Sequence, residues 1–169
     1  MHKNQKKRFI LDTSACISLE SIALFETVLT RCIIVTTKSV LTELNQFAKH
    51  NDALAKNAQS ILAHQSQFHI KNVKITKRVP FLQETDNELY NLALVENFPL
   101  ITDDHKLNHH TRREITVYFS TFFLVYCVLM DIITKKQALE KLEVLRDIRN
   151  WHHNLMYLRT KKGLEQLKE

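Results

Sequence analysis

Glycine is almost missing from this chain: among 169 residues, Gly163 is the single one. Phosphate-cradling loops and dinucleotide fingerprints need several glycines so that backbone can approach a phosphate closely. Both classes of nucleotide site are thereby excluded. Proline is nearly as scarce, at Pro80 and Pro99, and no linker, repeat or low-complexity tract interrupts the chain. The three cysteines, Cys16, Cys32 and Cys127, are far apart and form no Cys-x-x-Cys pair. That spacing argues against a zinc or disulfide framework and for small core residues in a reducing, cytoplasmic setting. The charged amino terminus has no apolar run long enough for a signal peptide. One long apolar run does exist, from Val117 to Met130, broken only by Ser120 and Thr121. A spanning helix needs roughly 20 such residues. Charges at Arg112, Arg113, Glu114 and Asp131 bound the run, so it reads as a buried strand leading into a buried helix, with no membrane involved.

What is present fits an ordinary globular protein, 44% hydrophobic and 25% charged. The length suggests a single domain over 1–169, with a helical C-terminal extension from about 134 to 169. The net charge of +6 favours polyanionic partners. Lys3, Lys6, Lys7 and Arg8 form a solvated basic arm, either a solubilising tip or an RNA contact.

Apolar periodicity gives an alternating order of elements. Phe9–Leu11 is the tail of a buried strand ending at Asp12, and Thr13 and Ser14 can cap a helix patterned from Ile17 to Leu29. A second strand follows at Cys32–Thr36, then a helix opened by Ser39 that carries Glu43. A polar, alanine-rich helix runs from Asp52 to about Phe68, and Val73–Thr76 reads as a short edge strand. Thr85 with Glu88 fits a capping box for the next helix, which ends before Pro99. Leu100–Thr102 is a fourth strand stopping at Asp103-Asp104, and Ile115–Phe119 a fifth. Helices follow over Thr121–Ile133, after a second capping box at Thr134–Gln137, and through the basic tail. This order predicts an α/β fold around a mostly parallel, about five-stranded sheet.

Four acids then fall at comparable places in that topology. Asp12 and Asp104 follow strands, Glu43 lies early in the helix after the second strand, and Asp86 opens the helix after the third. All point to the carboxyl edge of one sheet, and they converge if strands one and four are neighbours. Clustered carboxylates repel unless something neutralises them, and hard oxygen donors select Mg2+ or Mn2+. Such ions activate water and stabilise the leaving oxygen of a phosphodiester. The alternative is four unrelated caps and surface acids.

The stretches Phe9-Ile-Leu-Asp-Thr-Ser-Ala15, Ser39-Val-Leu-Thr-Glu-Leu44, Thr85-Asp-Asn-Glu-Leu-Tyr-Asn-Leu-Ala93 and Pro99-Leu-Ile-Thr-Asp-Asp104 resemble, in order and spacing, the PIN-domain nucleases. The tail from Thr134 is similar to the helical ending of many prokaryotic members. The resemblance implies a three-layer α/β/α sandwich and cleavage of RNA with Mg2+ or Mn2+, often by a toxin held by an antitoxin. It implies Asp12, Glu43, Asp86 and Asp104 as metal-holding catalytic acids, with Asp103 as the weaker ligand candidate. RNA is the expected partner, with an antitoxin protein and a homodimer as further candidates. The rivals are a catalytically silent module of the same fold that binds RNA or protein, and an RNA-maturation nuclease without an antitoxin. Lys38, Lys106 and Arg112 are candidates for phosphate contact.

Two further clusters have plainer readings. His105 and His109 are spaced as helical zinc ligands, but Lys106 stands where a zinc protease has Glu. Solvated histidines beside an anionic substrate fit better. Trp151, His152, His153 and Tyr157, near Arg146, Arg149 and Arg159, could form a base-stacking platform. An aromatic helix face packed on the core is the simpler account.

Overall fold

The computed structural model describes residues 6–167, and these divide into two compact units, one up to Tyr118 and one from Phe119 on. The first unit holds a sheet of five strands: β1 (Arg8–Leu11), β2 (Ile33–Thr37), β3 (His69–Lys71), β4 (Leu100–Ile101) and β5 (Val117–Tyr118). Every pairing is parallel and the order is β3-β2-β1-β4-β5. The α/β class and the parallel sheet expected from the sequence are both present. Its helices are α1 (Thr13–Ser21), α2 (Phe25–Arg31), α3 (Lys38–Phe47), α4 (Ala53–Ala63), α5 (Glu84–Glu96) and α6 (His105–Thr111). The chain winds from β1 outward to β3, then crosses back to β4 and outward to β5. Right-handed crossovers therefore place α1 to α4 over one face and α5 and α6 over the other. The three-layer arrangement follows. Ile10, Leu11, Leu100 and Ile101 are fully buried at its centre.

Local chemistry moves several element ends from where the sequence placed them. Arg8 belongs to β1, so the basic arm is shorter than expected, and Lys3 lies outside the described residues. The helix expected over Ile17–Leu29 is two helices, broken where Ala23 takes a left-handed φ of 50°. With no glycine at that place, asparagine takes the left-handed position that ends a helix, at Asn97 after α5, the short amide side chain tolerating it best. The alanine-rich helix stops at Ala63, and Phe68 packs edge-on against Phe25 instead of continuing it.

The third strand is the largest correction. It forms at His69–Lys71, on the sheet edge as expected, and Val73–Thr76 is not a strand. The reason lies on α5. Buried Asn91 accepts from the Thr76 and Lys77 amides, each at 2.9 Å, and its amide donates to the Lys77 carbonyl at 2.7 Å. A side chain thus does for this segment what a neighbouring strand would otherwise do. The capping box at α5 is also displaced. Gln83 is the cap and Asp86 accepts from the Gln83 amide at 3.2 Å, so Thr85 and Glu88 are not the box.

The second unit contains α7 (Phe122–Leu129), α8 (Lys135–Arg149) and α9 (Leu155–Gln166). Its helical ending from Thr134 is thus part of a unit beginning at Phe119. The Thr134–Gln137 capping box forms as expected, with Thr134 Oγ1 accepting from the Gln137 amide at 3.1 Å. Glu143 gathers Tyr157, Lys161 and Arg146 around one carboxylate. Trp151 and Tyr157 are buried, with Arg149 and Arg146 over their rings, so these two aromatics are packing residues. No single helix among the described residues is long and apolar enough to cross a membrane.

Asn91→Ala removes the partners of part-buried backbone groups at Thr76 and Lys77. A net hydrogen bond contributes about 0.5–1.5 kcal/mol, so the variant should lose on the order of 2 kcal/mol of stability in urea unfolding. A loss well below 1 kcal/mol would mean that Asn91 does not hold residues 76–77.

Candidate metal centre

β1 and β4 are neighbours, and strand order reverses between them, so the carboxyl edge of the sheet opens where an α/β fold takes its ligands. Asp12 and the Asp103-Asp104 pair emerge there side by side. The Asp12 amide donates to the Ile101 carbonyl at 3.2 Å, continuing the strand pairing. Asp12 is only 6% exposed, and three donors surround its carboxylate. The Ala15 amide reaches Oδ1 at 2.7 Å, making Asp12 the cap of α1, and the Ser14 hydroxyl lies 2.8 Å from Oδ2. The Thr102 hydroxyl donates to Oδ2 as well. Thr13 and Ser14, expected as caps, have other partners. Thr13 donates to Glu43 Oε2 at 2.5 Å, joining the start of α1 to the middle of α3.

Two hydroxyls carry the connection from one strand end to the other. The Asp104 amide donates to Thr102 Oγ1 at 3.0 Å, and the Asp103 amide donates to Ser14 Oγ at 2.9 Å. Both hydroxyls donate their own hydrogen bond to the Asp12 carboxylate. Sequence reasoning gave neither hydroxyl this role. The Thr-x-Asp spacing before Asp104 was the available signal for Thr102.

The acids also act on one another. Burial pushes Asp12 up to about 7, the nearby charge of Asp103 adding to it against the three hydrogen bonds. Asp86 is pushed up to about 6, first by burial and then by the charges of Asp104 and Glu43. Asp12, Glu43, Asp86, Asp103 and Asp104 are therefore linked by charge or through hydroxyls into one acidic region. A cleft of about 400 Å³ contains Asp86, Asp103 and Asp104, with Gln83, Lys106 and Phe81 among its walls. Lys106 thus reaches the cleft, while Lys38 begins α3 and Arg112 follows α6, both exposed.

The donors suit a hard divalent cation, being all carboxylate oxygen. Among the described residues, no Lys or Arg forms an ion pair with Asp12, Glu43, Asp86 or Asp104. Buried acids with raised pKa and no basic partner are the electrostatic setting that a cation relieves. The ligating geometry itself is not assembled. Among the described residues, no three His, Cys, Asp or Glu side chains are placed to hold one ion. Each acid instead has a local hydrogen bond: Asp104 caps α6 through the Lys106 and Leu107 amides at 2.6 and 2.9 Å, and Asp86 bonds the Gln83 amide. Local cap and shared acidic site are therefore not exclusive readings here, since a residue that makes the first can still serve the second. His105, His109 and His110 are exposed along α6 and make no such group either.

The raised Asp12 value sets a stability prediction for the metal-free protein. A carboxyl whose folded value lies above its unfolded one stabilises fully below the unfolded value. That contribution is lost as pH rises through the folded value, here from about 4 to about 7. Asp12→Asn keeps an oxygen to cap α1 and removes the charge. At pH 8 in EDTA it should be more stable than wild type by on the order of 1 kcal/mol, and the gain should vanish near pH 4. Thermal melts across that range measure it; a variant less stable at every pH would show that Asp12 carries no electrostatic strain.

No family model matches the sequence, and no curated protein does. Among solved structures the chain is similar to VapBC2 from Rickettsia felis bound to a DNA fragment from its promoter, at 17% identity and a TM-score of 0.48. The match covers 66% of this chain and 98% of that one. A likeness at that level bears on neither activity nor partner.

Proposed function

We propose that this chain is a Mg2+- or Mn2+-dependent endoribonuclease that hydrolyses RNA phosphodiester bonds. The observation that supports it most is that Asp12, Glu43, Asp86 and Asp104 lie in one acidic region without a Lys or Arg ion pair among the described residues, Asp12 and Asp86 being held well above the usual carboxylate range. In this reading Asp12, Glu43, Asp86 and Asp104 hold the cation, with Asp103 beside them. When bound, such an ion supplies an activated water and charge relief for the leaving oxygen. Thr102 and Ser14 fix the Asp12 carboxylate against the Asp103–Asp104 turn, so that acids from two strands keep one spacing. Lys106 at the cleft wall, with Lys38 and Arg112 nearby in sequence to the same edge, supplies positive charge for the phosphates of the strand. No serine, cysteine or histidine has to act covalently.

The PIN-like pattern of the four acid-bearing stretches extends this to a toxin countered by an antitoxin, acting in the cytoplasm on cellular RNA. The caps made by Asp12 and Asp104, with the bond Asp86 makes to the Gln83 amide at the start of α5, favour one rival, a silent module that keeps the acids for helix starts alone. That module would bind RNA with the salt dependence of phosphate contacts and cleave nothing.

The purified protein should cut single-stranded RNA in Mg2+ or Mn2+ and stop in EDTA. Asp12→Asn and Asp104→Asn should each lower the rate by on the order of 100-fold or more, since each removes a charge from the reacting centre. Gel-resolved cleavage in the two conditions measures both effects. Cleavage that persists in EDTA, or that survives both substitutions, contradicts the metal mechanism.

A further inference from the structure

Phe81 is the most exposed large apolar side chain among the described residues, at 76%. It stands on the wall of the same cleft as Asp86, Asp103 and Asp104. Its ring is stacked on that of His110, with centroids 5.7 Å apart and planes 28° from parallel. His109 meets His110 edge-on at 5.2 Å, so the aromatic pair is backed by a third ring. One face of Phe81 is thus covered and much of the ring is open.

The segment that carries Phe81 is held firmly. Val79 and Leu82 close a turn around it, with the Leu82 amide donating to the Val79 carbonyl at 3.1 Å. Beneath the turn, Asn87 is buried to 1% exposure and serves it from α5. Its Oδ1 accepts from the Val79 amide at 2.8 Å, and its amide donates to the carbonyls of Leu82 at 3.1 Å and Gln83 at 3.0 Å. A flat apolar ring already stacked on one side and facing an acidic cleft suits the π-face of an unpaired nucleobase.

We propose that Phe81, backed by His110, is a stacking platform for an unpaired base of single-stranded RNA beside the acidic cleft. This rests on the reading that the cleft acts on RNA. It assigns the role of base contact to the turn before α5, and leaves phosphate contact to Lys106. Stacking is tolerant of base identity, so the platform selects for unpaired strand rather than for sequence. Asn87 acts through Phe81, as a positioning residue.

Binding and cleavage separate this inference from the nuclease reading. Binding is measured by fluorescence anisotropy with a short oligouridylate in calcium, the strand checked on a gel for integrity, and with the same strand bearing abasic nucleotides. Wild type should prefer the base-bearing strand by about 5- to 100-fold, and Phe81→Ala should lose that preference while binding the abasic strand as wild type does. Phe81→Trp should retain it. In manganese, Phe81→Ala should raise KM with little change in kcat, since the ring binds the strand without touching the reacting bond. Base-dependent binding without any cleavage would keep the platform and overturn the nuclease. Cleavage with an unchanged KM in Phe81→Ala, or equal affinity of wild type for the two strands, would overturn the platform and leave the nuclease standing. Absence of binding to either strand overturns the platform as well.

Discussion

The bridge between Asp12 and Asp104 holds the candidate site together. One hydroxyl, on Thr102, accepts from the Asp104 amide and donates to the Asp12 carboxylate. Thr102 is fully buried, so no water competes for either bond. Ser14 repeats the pattern with the Asp103 amide. Between them these two side chains convert adjacency of two parallel strands into a fixed relation between two acids far apart in the chain. The chain pays for it in electrostatics: a buried carboxyl that three hydrogen bonds favour in its charged form is still held near neutrality in pH.

The fold was largely legible because its determinants are local and repetitive. Short apolar runs alternating with helical periodicity dictate a parallel sheet; that β1 and β4 are neighbours was only a condition for the acids to converge, and the strand order meets it. What was not legible depends on contacts distant in sequence. Val73–Thr76 has the composition of a strand, but the Asn91 side chain takes its backbone groups, and no pattern within the stretch shows that. Ala23 breaks the first helix although it is a good helix former, because packing of Leu24 and Phe25 into the core decides the chain's direction there.

The candidate site was legible as residue types and not as roles. Acids at strand ends are visible in the sequence. That Asp12 and Asp104 cap helices was among the sequence's open alternatives; that Asp103 acts on Asp12 while Asp104 acts on Asp86 is a property of the folded edge. The α5 helix joins the two halves of this edge. Asp86 stands at its start, Asn87 pins the turn carrying Phe81, and Asn91 fastens the segment after β3. One helix therefore positions an acid, an aromatic wall and the loop between them. Rigid support of this kind is what a cleft needs to meet a flexible strand at constant geometry.

The central claim is that acids from separate elements form one cation site, and calorimetric titration with manganese near pH 7.5 tests it most directly. The account predicts saturable binding to wild type, and its loss or a weakening of at least about 10-fold in both Asp12→Asn and Asp86→Asn, although β1 and α5 contribute those residues independently. Manganese binding that is absent from wild type, or that survives unchanged in both variants, would contradict it.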